Sequence, residues 1–219
     1  MFFLKKILID LLFPARCLGC QKANFYLCPA CLKQIKLKKN NLKSAFFPIK
    51  GLLAGLSYKH PLTKKAIYLL KYSFAYELIN PLSQPLLKNL KNFKKEQDIK
   101  KVFLIPVPLH KKRLKWRGFN QAHLIAQEIS KIDNFVLIDD FLIQAKKKKP
   151  QAKIESASKR QENIKEVFQV NPQSSFNPKN KTIFLIDDVV TSGATLKECA
   201  LLLKQEGVKD IWAAVLARQ

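Results

Sequence analysis

One stretch limits the fold more than any other: Thr182 to Leu203, "TIFLIDDVVTSGATLKECALLL". "TIFLI" is an apolar run without alternation, the pattern of a strand buried on both faces. From Ala194 the residues Leu196, Cys199, Ala200 and Leu203 recur at helical spacing, and Gly207 closes the helix. Strand, tight turn and helix in that order form the unit of a parallel sheet covered by helices. Cys199 belongs to this apolar stripe and is expected to pack in the core.

The rest of the chain repeats the alternation. "GLLAGLSY", "KVFLIPVP", "FVLIDDFLI", "KEVFQV" and "IWAAVLA" read as strands, with "KEVFQV" as an antiparallel edge or flap. "PLTKKAIYLLKYSF", "YELINPLSQPLLKNLKNF" and "NQAHLIAQEISK" repeat apolar residues every three or four positions. A mostly parallel α/β sheet with helices on both faces follows. Two basic loops interrupt the pattern, Pro106 to Gln121 and Gln144 to Lys165. The first leaves the carboxyl end of a strand, where parallel-sheet proteins collect ligands.

The turn after "TIFLI" has chemistry of its own. Thr191, Ser192, Gly193, Ala194 and Thr195 offer backbone N–H groups and three hydroxyls at a helix start, an anion pocket sized for a monophosphate. Gly193 removes the side chain that would keep a phosphate away. Asp187 and Asp188 would repel that phosphate, so they suit another part of the same ligand. A vicinal diol can donate to both carboxylates, and diol plus phosphate together describe a ribose phosphate. An ordinary turn with Asp188 as a capping residue is the plainer alternative.

"CLGCQKANFYLCPAC" places Cys17, Cys20, Cys28 and Cys31 as two CxxC pairs. Two such knuckles complete a four-sulfur shell suited to structural zinc, with no open position for catalysis. Disulfides and a redox pair are the competing readings. The lysine-rich "QIKLKKNNLKSAF" then divides an N-terminal module over 1–45 from an α/β domain over 46–219. Gly19 is expected to permit the tight turn of the first knuckle.

Charge favours phosphates as partners. The 219 residues carry 40 Lys and Arg against 16 Asp and Glu, a formal net charge of +24. Lysines dominate, which suits sequence-independent phosphate contacts, although a general drift toward lysine has the same signature. The start, "MFFLKKILIDLLFPARC", repeats Phe3, Ile7, Leu8, Leu11 and Leu12 as a short amphipathic helix. It lacks a small-residue cleavage site, and no run is long enough to span a membrane. A cytoplasmic location is expected, with peripheral contact at the inner membrane open to such a basic helix.

The string "FLIDDVVTSGAT" resembles the phosphoribosyl pyrophosphate motif of type I phosphoribosyltransferases. With "IPVPLHKKRLKWRGFNQAHLIA", "SKRQENIKEVF" and the double CxxC after "LLFP", the chain is similar to the ComF family of competence proteins over nearly its whole length. The resemblance implies a type I phosphoribosyltransferase-like fold, bound phosphoribosyl pyrophosphate with magnesium, and handling of incoming single-stranded DNA in natural transformation. It places Val107 and Pro108 in the loop that holds pyrophosphate, with Lys111, Lys112 or Arg113 nearby. Arg117, and Arg160 with Asn163, would close over the ligand. On the first reading Trp116, Phe119 or Tyr72 would stack bases. Two alternatives are an active phosphoribosyltransferase acting on an unidentified base or amine, and a zinc-bearing docking subunit for DNA-uptake, translocase or helicase proteins.

Overall fold

The computed structural model describes residues 15–35, 47–73, 75–144 and 168–219. The expected N-terminal helix, the boundary at 45/46, and the basic segment with Arg160 and Asn163 lie outside the described residues.

Among the described residues, five strands form one parallel sheet. In chain order β1 is Gly51–Ser57, β2 Val102–Pro106 and β3 Phe135–Leu137. β4 Leu142–Gln144 and β5 Phe168–Val170 stand apart from it, and β6 Thr182–Val190 and β7 Asp210–Arg218 complete it. The order across the sheet is β1-β7-β6-β2-β3, so the last two strands lie inside it. β6 pairs with β7 from Thr182↔Asp210 to Val190↔Arg218, and with β2 from Phe103↔Ile183 to Pro106↔Ile186.

Period-two alternation sends each strand's side chains to two cores. Leu53, Leu104, Phe184 and Leu216 pack with α2 Pro61–Tyr72, α3 Ile79–Glu96 and α5 Gln121–Ser130. Leu52, Ile105, Leu185 and Val215 face α6 Ala194–Gln205 through Leu196, Cys199 and Leu203. Helices therefore cover both faces, and Cys199 is a core residue as its spacing indicates.

Two segments depart from the sequence reading. "FVLIDDFLI" is two short strands, because the chain leaves the main sheet at Asp139 and Asp140. The Asp140 carbonyl accepts from Asn171 Nδ2 at 2.9 Å and its carboxylate from Ser174 Oγ at 3.0 Å. That anchors β4 antiparallel to β5, from Leu142↔Val170 to Gln144↔Phe168, as a separate two-stranded sheet. Of the expected edge or flap at "KEVFQV", Phe168–Val170 is this β5, and the residues before it lie outside the described ones. The basic loop after β2 contains a helix, α4 Lys111–Arg117. His110 Nδ1 caps its start by accepting from Lys112 N, and Gly118 ends it with φ 75°. Only Arg117 of its side chains is buried, so it has no apolar stripe to betray it.

The cysteine segment shares the larger core. Its own helix, α1 Pro29–Gln34, starts at the second CxxC, and Cys17, Leu27, Cys28, Cys31 and Ile35 join the cluster that holds Leu53 and Leu70.

Candidate functional site

The carboxyl ends of β2 and β6 open onto a cleft of about 630 Å³. It gathers Val107, Pro108 and Arg117 from one side with Asp187, Asp188 and Thr195 from the other, residues far apart in sequence. Of the three basic residues after "PVPLH", Arg113 lines it, whereas Lys111 and Lys112 do not. Of the turn after β6, Thr195 lines the cleft, whereas Thr191, Ser192, Gly193 and Ala194 are not among its lining residues. Thr191 and Ser192 are exposed there, and Gly193 is left-handed at φ 75°. A side chain at that φ would be strained, which is why glycine occupies the helix cap.

β6 runs on through Asp187 and Asp188 to Val190, so both carboxylates stand on a strand and not in the turn. Asp188 is buried, and Lys71 Nζ lies 2.9 Å from its Oδ2. The Asp188 N–H donates to Asp187 Oδ1 at 2.8 Å. Burial, and then the neighbouring Asp188 carboxylate, push the Asp187 carboxyl up to about 7 despite that hydrogen bond and Lys71. Lys71, at the C-terminal end of α2, is a site residue that sequence reading missed. Nothing in "IYLLKYSF" separates it from the chain's many other lysines.

Arg117 forms part of the wall. It is buried, donates from Nη1 to Gln121 Oε1 at 3.1 Å, and its guanidinium carbon lies 5.2 Å from the Tyr72 ring centre. Among the described residues its Nε and Gln121 Nε2 have no hydrogen-bond partner, and such buried donors suit an acceptor-rich ligand. Val107 is fixed by its N–H to the Ile186 carbonyl at 2.9 Å, and its own carbonyl accepts from Asn120 Nδ2 at 2.9 Å.

The second candidate site is the four-cysteine cluster. The sulfurs of Cys17, Cys20, Cys28 and Cys31 all lie within 4.8 Å of one another. Cys28 N–H points at Cys17 Sγ at 3.3 Å and Cys31 N–H at Cys28 Sγ at 3.4 Å. Burial opposes ionisation of Cys17, but backbone N–H groups of Cys20, Cys28 and Gly19 outweigh it and lower the thiol to about 6. Gly19 serves the knuckle by leaving room: a Cβ there would sit 2.7 Å from Cys31 Sγ. The left-handed residue in this turn is Gln21, at φ 63°. Four thiols converging on one point form a donor set that fits a tetrahedral metal ion.

A family model described as "Phosphoribosyl transferase domain" matches residues 110–219, half of the chain. Competence protein F of Haemophilus influenzae is 35% identical over 115 residues, 52% of this chain and 49% of that protein. Competence protein ComFC of Bacillus subtilis is 34% identical over 116 residues, covering 52% and 43%. The matched part thus spans about half the length of these relatives. DNA utilization protein YhgH of Escherichia coli is 27% identical over 172 residues, covering 78% of this chain and 73% of that one. Among solved structures, a hypoxanthine phosphoribosyltransferase from Staphylococcus aureus is 18% identical over 63% of this chain and 64% of that one, with a TM-score of 0.40. The protein belongs to the phosphoribosyl transferase domain family, and its relatives and cysteine cluster bear out the resemblance to ComF competence proteins.

Proposed function

We propose that the cleft binds phosphoribosyl pyrophosphate and that the protein handles single-stranded DNA taken up in natural transformation. The observation that carries the ligand is the end of β6: two carboxylates that line the cleft, then an exposed Thr191 and Ser192 before a left-handed Gly193 at the helix start. The diol of the ribose sits against Asp187 and Asp188. Its 5′-phosphate occupies Thr191 to Thr195. The pyrophosphate lies along Val107 and Pro108, where Arg113 and Arg117 supply positive charge. Arg160, outside the described residues, belongs to the same proposal through its motif. A magnesium ion would neutralise the pyrophosphate further. Zinc is the metal proposed for the four thiols, as a fold-stabilising site. Unit boundaries at 45/46 complete this reading. The names of the relatives support a place in DNA uptake, and no helix among the described residues is long and apolar enough to cross a membrane.

The test is thermal unfolding with and without phosphoribosyl pyrophosphate and magnesium. The wild-type chain is expected to be stabilised by about 2.7 kcal/mol at a hundredfold excess over Kd, and Asp187→Ala/Asp188→Ala to lose that gain. Retained stabilisation in the double variant would remove the pocket assignment. Pyrophosphate release on addition of bases or amines would extend the reading from binding to transfer.

A further inference from the structure

Three exposed aromatic rings stand in contact where α2 meets α4. Tyr68 and Tyr72 have ring centres 4.9 Å apart, and Tyr72 and Trp116 have theirs 5.9 Å apart. Their exposures are 60%, 46% and 56%, too much contiguous ring surface to be explained by core packing. Tyr72 and Trp116 also line the ligand cleft, whereas Tyr68 lies beyond it, so the row leads from the surface inward. Arg117 adjoins it, its guanidinium carbon 5.2 Å from the Tyr72 ring centre and 5.9 Å from that of Trp116. Phe119 is not part of the row: it is half-buried and packs edge-on against Tyr76 at 5.0 Å.

Helical spacing sets one cation beside Tyr68 and another beside Trp116. Lys64, Tyr68 and Tyr72 recur every four residues on α2, and Lys112 precedes Trp116 by four on α4. Lys64 and Lys112 are both exposed. Rings in a row with cations alongside match what a single strand presents, flat bases along a chain of phosphates. A duplex hides its base faces and could use the cations alone.

We infer that Tyr68, Tyr72 and Trp116, flanked by Lys64 and Lys112, form a stacking track for single-stranded nucleic acid that ends in the cleft beside Asp188. This deepens the proposed role by naming its nucleic-acid face, and it rests on that role only for the kind of partner. Bases stack on the rings, and phosphates pass Lys64 and Lys112. The nucleotide at the inner end lies next to the ribose-phosphate site. Occupancy of that site and of the track are therefore expected to influence each other.

The test uses the full chain, a labelled oligothymidine and a duplex of equal length, at low and moderate salt. Tyr68→Ala/Trp116→Ala should weaken single-strand binding by about tenfold or more and change duplex binding by less than about twofold. Lys64→Ala/Lys112→Ala should weaken both and flatten the salt dependence. Trp116 emission should be quenched by the oligonucleotide. The background comes from the chain's second tryptophan, Trp212, which packs against Phe93 and is read alone in Trp116→Phe. Single-strand affinity unchanged in the aromatic variant would overturn the track, as would equal losses for strand and duplex. If the same substitutions alter only the sedimentation of the chain, the rings are a self-association surface and the track is wrong. Tyr68→Ala, which lies outside the cleft, should weaken oligothymidine binding while leaving stabilisation by phosphoribosyl pyrophosphate unchanged. A failure of the ligand site is thereby separated from a failure of the track.

Discussion

Asp187 and Asp188 are neighbours on a strand, so their side chains start toward opposite faces, yet at the carboxyl end of β6 both reach the cleft. Asp188 meets Lys71 at the end of α2, while burial, and then the nearby Asp187 carboxylate, push up the Cys199 thiol of α6. The two carboxyls consequently have different surroundings. Asp187, raised from 3.8 to about 7, holds its proton more tightly folded than unfolded. Its contribution to stability is present below about pH 4 and is lost as pH rises to about 7. Binding of the proposed ligand would have the opposite sign, because a carboxylate accepts from a diol better than a carboxyl does. Asp187→Asn is expected to raise stability at pH 8 by about 1 kcal/mol, flatten its fall between pH 4 and 7, and weaken phosphoribosyl pyrophosphate. Thermal scans against pH, with and without ligand, measure all three. The motif makes these two residues legible in the sequence. Lys71 is not, since only the fold brings the end of α2 to the end of β6.

At the scale of elements, α3 lies so close on β1 that Gly55 has no alternative. A Cβ there would come within 2.9 Å of Leu86 N and 3.2 Å of the Leu216 carbonyl, both backbone atoms that cannot swing aside. Asn89 Nδ2 fixes the same contact by donating to the Ala54 carbonyl at 3.0 Å. Gly55→Ala should therefore cost about 1–3 kcal/mol in urea unfolding, where a surface glycine would gain from the change. Strand–helix alternation is readable because apolar runs are continuous in buried parallel strands. It fails at "FVLIDDFLI", where polar contacts of Asp140 divide one hydrophobic run between two sheets. It fails again at α4, which is held by caps at His110 and Gly118 and has almost no buried face. The contact of Tyr72 with Trp116 cannot be read from the sequence at all, because the rings come from two helices with α3 and β2 between them in the chain.

Across the whole molecule, the cysteine segment and the sheet stand or fall together. Leu27, Cys31 and Ile35 share a core with Leu56 and Ile67, so loosening the knuckles opens the main domain. Cys17→Ser, or exhaustive chelation, is expected to lower the midpoint of the single thermal transition by about 10 °C, from roughly 3–5 kcal/mol lost at 2–4 °C each. Calorimetry would show this, and two separate transitions would mean that the segment melts alone. The strand order has a consequence for synthesis. β6 and β7 follow the other strands in the chain yet lie inside the sheet, between β1 on one side and β2 on the other. Until Asp210–Arg218 has left the ribosome, β1 has no neighbour and β2 has at most β6 and the short β3. The nascent chain carries exposed apolar strands until then, and the sheet beneath the ligand cleft closes only when the late strands slide between those made first.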